Sequence, residues 1–210
     1  MTFTKKDGRN LLNIMKSRRD VRGNNFLSKK ISDDDLESIL KAGITAPSVG
    51  YSQPWKFIII NDENIKNDIR ANFDIENEKA KEIFKDKEIY KSLKLEGVKE
   101  APINIAVLYE NPNEATIGMT SMQKMGEYSV VCAVQNMWLM ARALNIGLGW
   151  ISILDEKKVL KRFNAPKNTQ LVAYLALGYV NEFYSEPELK TIKWKEEKRL
   201  QECVMENSWA

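Results

Sequence analysis

Histidine is absent from the 210 residues of this chain. Mechanisms that use an imidazole as base, acid or metal ligand are therefore excluded, including Ser-His-Asp triads and Cys-His pairs. Cysteine is almost as scarce, since only Cys132 and Cys203 occur. They are too far apart for a CxxC pair and too few for a cysteine-only zinc site or an iron–sulfur cluster. We expect free thiols in a reducing compartment and no metal site.

Long apolar runs are also missing. The N-terminal residues contain no apolar segment of signal-peptide type, and Arg142 and Asn145 interrupt the apolar stretch over 137–154. We therefore expect no export signal, no contact with a membrane and a cytoplasmic location. The length and the 43% content of apolar residues predict a single domain over residues 1–210.

The net charge is small, +3 from 32 basic and 29 acidic residues, but it is unevenly distributed. Residues 1–30 hold nine basic and two acidic side chains, which leaves a local charge of +7. A basic N-terminal segment can bind nucleic acid. Because this one has no interleaved aromatic residues, we expect an internal anion site and no nucleic-acid partner.

Hydrophobic periodicity predicts an α+β fold without internal repeats. Helices are predicted up to residue 17 and over 32–45, most of 64–99, 127–144 and 156–163, and strands over 55–60, 103–109, 147–153 and 171–178. Ser32 followed by Asp35 resembles a capping box, and Pro47 ends the second helix. The helix over 127–144 is apolar on nearly all sides, so we expect it to be central and largely buried.

The segment after Gly178 is polar but contains Phe183, Tyr184, Trp194 and Trp209 without a regular period. Large aromatic residues concentrate at interfaces between subunits. We therefore predict that residues 179–210 form a C-terminal arm that packs on a partner subunit.

Arg18, Arg19 and Arg22 lie within five residues, where the first helix gives way to a loop. We call them the arginine cluster. Three guanidinium groups so close repel each other unless an anion lies among them, and phosphate fits their geometry best. Alternatively, they complement the dipole of the helix C-terminus or pair with Asp20. Spacing alone leaves both interpretations open.

Two further motifs are weak signals by themselves. Gly147-Leu148-Gly149 lacks the third glycine of a dinucleotide fingerprint and precedes a strand, so no Rossmann site is predicted. Ser48 and Ser52 lie in a loop bounded by prolines, where their hydroxyls either hold a polar ring edge or stabilise the turn.

Three segments together carry a more specific pattern. They are Arg18-Arg19-Asp20-Val21-Arg22, then Ala46-Pro47-Ser48-Val49-Gly50 with Gln53-Pro54-Trp55, then Gly147-Leu148-Gly149-Trp150-Ile151-Ser152. Stretches at 90–97, 132–139, 177–179 and 186–189 continue the pattern over nearly the whole chain. In this order and at these separations, the segments resemble the flavin-binding segments of the nitroreductase-like FMN family.

The resemblance implies an α+β homodimer with a central, mostly antiparallel sheet flanked by helices. FMN would bind in a groove at the subunit interface, and the C-terminal arms would be exchanged between subunits. The residues implied to bind the flavin are Arg18, Arg19, Asp20, Arg22, Pro47, Ser48, Gln53, Trp150, Ile151 and Ser152. Within this set, the arginine cluster would surround the phosphate and ribityl chain.

Asp20 distinguishes two activities within the family. Ordinary nitroreductases usually have Ser at this step, whereas the members that fragment flavin have Asp. An Asp among three arginines is expected to be ionised, and in a chain without histidine it is the best candidate for the catalytic base. Its alternative role is an ion-pair partner that holds the arginines in place. The resemblance also implies that Ser152 is catalytic, forming a hydrogen bond near the reactive flavin edge.

The implied activity consumes the flavin. Reduced FMN, supplied by a separate flavin reductase, reacts with O2 and yields erythrose 4-phosphate and 5,6-dimethylbenzimidazole, the lower ligand of cobalamin. The alternative is an NAD(P)H-dependent nitroreductase or dehalogenase-type reductase that recycles FMN, and a third possibility is a non-catalytic flavin- or nucleic-acid-binding module. Residues 118–127 are rich in Met where the flavin-fragmenting members carry Arg, His and Asp, which leaves the alternative open.

Overall fold

A four-stranded sheet organises the chain in the computed structural model, which describes residues 1–209. The strands are β1 (Trp55–Ile60), β2 (Ile103–Glu110), β3 (Ile146–Ile151) and β4 (Thr169–Tyr179), in the order β1-β2-β4-β3. All neighbouring strands in this sheet are antiparallel, so the predicted fold class is confirmed. The outer strands β1 and β3 each adjoin a different segment of the predicted flavin site.

Helices cover both faces of the sheet. Over residues 1–209 they are α1 (Lys5–Ser17), α2 (Asp33–Ile44), α3 (Glu63–Ile83), α4 (Glu88–Ser92), α5 (Met125–Ala143), α6 (Glu156–Arg162) and α7 (Glu188–Thr191). One core cluster joins α2 and α5 to the sheet through Ile39, Val134 and Ile105. A second cluster, which includes Phe73 and Ala106, joins α3 and α6 to the opposite face, as the alternation of side chains along β2 requires. No helix within the described range is both long and apolar enough to cross a membrane.

Three predictions about helices need correction. The helix predicted over most of 64–99 ends at Ile83, a short helix follows, and residues 93–98 are not helical. Ser32 caps α2 by accepting from Asp35 N at 3.1 Å, but the Asp35 carboxylate accepts from the Tyr179 hydroxyl, so the capping box is half formed. Helix α5 is buried on its sheet side, but Tyr128, Val131 and Cys132 are exposed.

The first residue of the predicted C-terminal arm belongs to the sheet. Tyr179 is the last residue of β4, and the segment that follows folds back on its own chain. Phe183 lies 4.0 Å below the Arg142 guanidinium. Trp194 packs against Phe84 with ring centroids 5.7 Å apart. The aromatic residues at 183 and 194 therefore have partners within the chain, whereas Tyr184, Leu189 and four large apolar residues between Leu200 and Trp209 are exposed.

Candidate flavin site

The segment that carries the arginine cluster lies against the outer strand β3. Val21 N donates to Leu148 O at 3.1 Å, and Asp20 forms an isolated parallel bridge with Leu148. A Cβ atom on Gly149 would lie only 2.1 Å from Val21 O. The motif Gly147-Leu148-Gly149 thus has a role that its sequence does not reveal, because glycine admits the segment to the sheet edge.

Asp20 is held at this edge by two partners. Its Oδ1 accepts a hydrogen bond from Trp150 N at 2.9 Å, and its Oδ2 forms an ion pair with Arg22 Nη2. Burial raises the pKa of the Asp20 carboxyl above its usual value, because desolvation outweighs the opposing effects of Arg22, Trp150 N and Arg18. The expectation from the sequence took account of the arginine charges, which lower the pKa of Asp20, but not of desolvation, which raises it. A raised pKa makes the ionised carboxylate a stronger base than an ordinary aspartate.

The three arginines of the cluster differ in what they can still bind. The Arg19 guanidinium donates to four backbone carbonyls, at Lys16, Arg18, Tyr184 and Ser185. Arg22 donates to Leu95 O at 3.2 Å and pairs with Asp20. Arg18 lies over the Trp138 ring at 4.6 Å, and its guanidinium has no ion-pair partner within residues 1–209. Arg18 and part of Arg22 are therefore available to an anion, whereas Arg19 supports the backbone.

Two side chains of helix α5 form hydrogen bonds with the backbone of the segment that carries the arginine cluster. Trp138 Nε1 donates to Arg19 O at 3.1 Å, and Arg142 Nε donates to Ser17 O at 3.0 Å. The sequence interpretation took Trp138 as a core residue and gave Arg142 no role in the site. Their i, i+4 spacing puts both donors on one side of the helix, which is the signal available in the sequence.

The Trp138→Phe variant should weaken FMN binding by about three- to tenfold, because it loses the hydrogen bond to Arg19 O and the stronger cation–π partner of Arg18. A fluorescence titration of FMN measures the effect. The matched control is Tyr174→Phe, since the buried Tyr174 hydroxyl has no hydrogen-bond partner among the described residues and lines neither cavity of the site. An equal change in both variants would contradict the role of Trp138.

Two adjoining cavities lie at this edge. The first has a volume of about 150 Å³ and is lined by the arginine cluster, Asp20 and residues 184 and 187–189 of the arm. The second, of about 290 Å³, is lined by aromatic residues including Tyr90, Trp150 and Trp194, together with Ser152. Arg22 and Leu189 line both. The pair offers a cationic end and an aromatic end, which suits a ligand that joins an anionic group to a flat ring.

Of Trp150, Ile151 and Ser152, which were predicted to bind the flavin, two line the second cavity and one does not. Trp150 and Ser152 border it, and the Ser152 hydroxyl is exposed. The side chain of Ile151 points to the opposite face of the sheet and is only 2% exposed, in the core with α3 and α6. Alternation along β3 explains the difference, since neighbouring residues of a strand face opposite sides. Ile151 can therefore contact a ligand in the second cavity only through its backbone.

Pro47, Ser48 and Gln53 are not brought to the arginine cluster within one subunit. Their loop precedes β1, at the opposite edge of the sheet from β3, and three strand spacings separate those edges by about 14 Å. Within the loop, Ser48 Oγ accepts from Gln53 N at 3.1 Å. Val49 N donates to Ser129 Oγ of α5 at 3.0 Å. The hydroxyl of Ser48 therefore stabilises the turn, and the loop is anchored on α5.

The described residues bring no three acidic or cysteine side chains together in a geometry that would hold a metal ion. The chemistry of the site within one subunit thus rests on guanidinium groups, the Asp20 and Glu188 carboxylates, the hydroxyl of the exposed Ser152 and aromatic rings. Such a set binds an anion, holds a ring and exchanges protons.

The chain is similar to known proteins over most of its length. The pattern that defines the nitroreductase family matches residues 15–179. The 5,6-dimethylbenzimidazole synthase of Rhodospirillum rubrum is 35% identical over 182 residues, which cover 85% of each chain. A synthase of the same name from Rhodobacter capsulatus is 34% identical over 89% of this chain and 91% of its own.

Among solved structures, oxidised iodotyrosine deiodinase bound to FMN and 3-iodo-L-tyrosine superimposes with a TM-score of 0.75. The comparison covers 95% of this chain and 100% of the other at 24% identity. At this identity the similarity shows the shared fold.

Proposed function

Because the chain belongs to the nitroreductase family, we propose that it is a 5,6-dimethylbenzimidazole synthase, which fragments reduced FMN with O2 to 5,6-dimethylbenzimidazole and erythrose 4-phosphate. The observation that carries this proposal is the position of Asp20. Its carboxylate borders a cationic cavity, where ordinary members of the family usually have Ser. The similarity to curated synthases over most of the chain supports the same conclusion.

The charges of the first cavity fit the phosphate of FMN. Three guanidinium groups and two carboxylates, those of Asp20 and Glu188, line it, which leaves a net positive charge to attract a phosphate. Arg18 and Arg22 would hold the phosphate, and Arg19 would keep the backbone of the segment in place through its carbonyl partners. The aromatic second cavity fits the flavin ring.

The bound flavin supplies the redox chemistry with O2. The side chains of the protein would transfer protons and hold the flavin in position. Asp20 would accept protons from the substrate at its carboxylate, which the Trp150 N–H and Arg22 keep directed. The Ser152 hydroxyl would form a hydrogen bond at the ring edge. Trp150, which lines the second cavity, packs against Trp138 with ring centroids 6.3 Å apart.

A second copy of the chain would complete the site as a homodimer. Pro47, Ser48 and Gln53 lie at the far edge of the sheet, so these residues would approach the arginine cluster of the partner. Exposed apolar side chains on α1 and α5, including Leu12 and Val131, provide a surface for such a partner. The exposed end of the arm, from Leu200 to Trp209, would then cover the other subunit. We further propose a cytoplasmic location and a separate flavin reductase that supplies reduced FMN.

One observation favours a second candidate function, an NAD(P)H-dependent reductase or dehalogenase that recycles FMN. The loop that includes the Met-rich residues 118–127 packs closely on the Ser48 loop. A Cβ atom on Gly50 would lie only 2.8 Å from Ile117 O. This stretch, which contains no Arg, His or Asp, therefore lies next to residues that are proposed to line the flavin. Asp20 instead of Ser argues for the synthase.

The test combines the purified protein with FMN, a flavin reductase, NADPH and air, followed by mass spectrometry of the products. We expect FMN to disappear with stoichiometric formation of 5,6-dimethylbenzimidazole, and no product without air or without the reductase. Intact FMN with peroxide as the sole product would instead favour the recycling reductase.

A further inference from the structure

Glu96 is an acidic residue with only 1% of its surface exposed, outside the lining of both cavities. Its Oε1 accepts from Arg70 Nη1 at 2.8 Å and lies 2.7 Å from Lys94 Nζ, while its Oε2 accepts from Val98 N at 2.8 Å. A buried carboxylate is tolerated only with such partners. These contacts hold the peptide around Glu96 in one position.

Two carbonyls of that peptide face the arginine cluster. Glu96 O accepts from Gly23 N at 2.8 Å, and Leu95 O accepts from Arg22 Nη1 at 3.2 Å. The other amino group of Arg22, Nη2, pairs with Asp20. The Arg22 guanidinium is therefore held between a backbone carbonyl and the proposed catalytic carboxylate.

Close packing makes the contact between residues 95–97 and residues 22 and 23 rigid. A Cβ on Gly23 would lie 2.6 Å from Glu100 Cδ, and a Cβ on Gly97 would lie 3.0 Å from Gly23 N. Little space separates residues 95–97 from residues 22 and 23. A shift of the first segment must consequently move the second.

We infer that Glu96 is a positioning residue for the anion site, fixing the carbonyls that direct the Arg22 guanidinium toward the ligand phosphate. The inference rests on the proposed function, since the phosphate is that of FMN. Asp74 pairs with Arg70 as well, but its side chain is 54% exposed, so water can replace it. Glu96 itself is only 1% exposed, so water cannot replace its carboxylate in the same way.

The experiment compares FMN with riboflavin, which has the same ring but no phosphate. Glu96→Gln preserves size but removes the buried charge, so Arg70 and Lys94 lose their shared anion. We expect the Kd for FMN to rise about tenfold, the size of one charge-assisted contact, while the Kd for riboflavin stays within about twofold. In the matched control Asp74→Asn, both should stay within about twofold.

An equal loss of affinity for both flavins, or an unchanged preference for FMN in Glu96→Gln, would overturn the positioning role. If Glu96→Gln does not fold, Arg70→Gln is the second variant. It removes one of the two cationic partners of Glu96, at a partly exposed position. It should weaken FMN binding about threefold and leave riboflavin binding unchanged. No preference for FMN over riboflavin in the unaltered chain would instead refute the phosphate site of the proposed function.

Discussion

The Asp20→Asn variant is expected to lose at least about 100-fold in the rate of 5,6-dimethylbenzimidazole formation, because a general base contributes at least this much. Asn has the same shape and still accepts the hydrogen bond from Trp150 N, but it cannot take up a proton. The variant should therefore stay folded and retain FMN. Product formation per bound FMN, measured by mass spectrometry with the reductase in excess, separates binding from chemistry.

The pH dependence provides a second measurement on the same variant. Since burial raises the pKa of Asp20, the carboxylate forms at a higher pH than that of an ordinary Asp. The rate for the unaltered chain should rise with pH as Asp20 loses its proton, and this rise should be missing in Asp20→Asn. The matched control is Asp34→Asn, on the exposed side of α2.

If Asp20 serves only as an ion-pair partner, the outcome is different. Asp20→Asn would then weaken FMN binding through Arg22, but FMN that remained bound would react at the normal rate. A normal rate per bound FMN would therefore refute the catalytic base and support the alternative role.

The Gly149→Ala variant should lower the free energy of unfolding by about 3 kcal/mol and lose FMN binding. The new Cβ would lie 2.1 Å from Val21 O, and a backbone atom cannot move aside by rotating a side chain. The segment with Asp20 would have to separate from β3, breaking the bond from Val21 N to Leu148 O. For a chain of this length, the melting temperature should fall by about 6–12 °C.

Gly8→Ala is the matched control for this substitution. A Cβ on Gly8 meets no atom within 4 Å, and the residue lies within exposed α1. Alanine should stabilise that helix by about 0.5–1 kcal/mol. A melting temperature for Gly149→Ala equal to that of the unaltered chain, with FMN still bound, would contradict the close approach of Val21 to β3.

The resemblance assigned all three arginines to the flavin, whereas in the structure the three guanidinium groups have different partners. Arg19 has its donors on backbone carbonyls, two of them in the arm at Tyr184 and Ser185. Those carbonyls are more than 160 residues away in sequence, so no local pattern identifies them. Arg18 is left as the guanidinium of the cluster without a carboxylate partner in the described chain.

Local periodicity was sufficient for most elements. The apolar run at 55–60 is strand β1, and the end of the first helix falls at Ser17 as expected. Residues 93–98 were assigned wrongly because their carbonyls at Leu95 and Glu96 bind Arg22 and Gly23 instead of closing helical turns. That competition depends on a segment some 70 residues earlier in the chain.

Composition and short-range pattern established the absence of imidazole chemistry and the α+β class, since these depend on residue types and their spacing, whereas the segments of the site were predicted from the resemblance to a family. The tertiary structure alone showed which donors are already engaged, that Ile151 is buried, and that the Ser48 loop and the arginine cluster lie at opposite edges of one sheet. The raised pKa of Asp20 is also visible only in the tertiary structure. The physical reason is common to all of these, because burial, hydrogen-bond competition and distance arise from contacts between residues far apart in the chain.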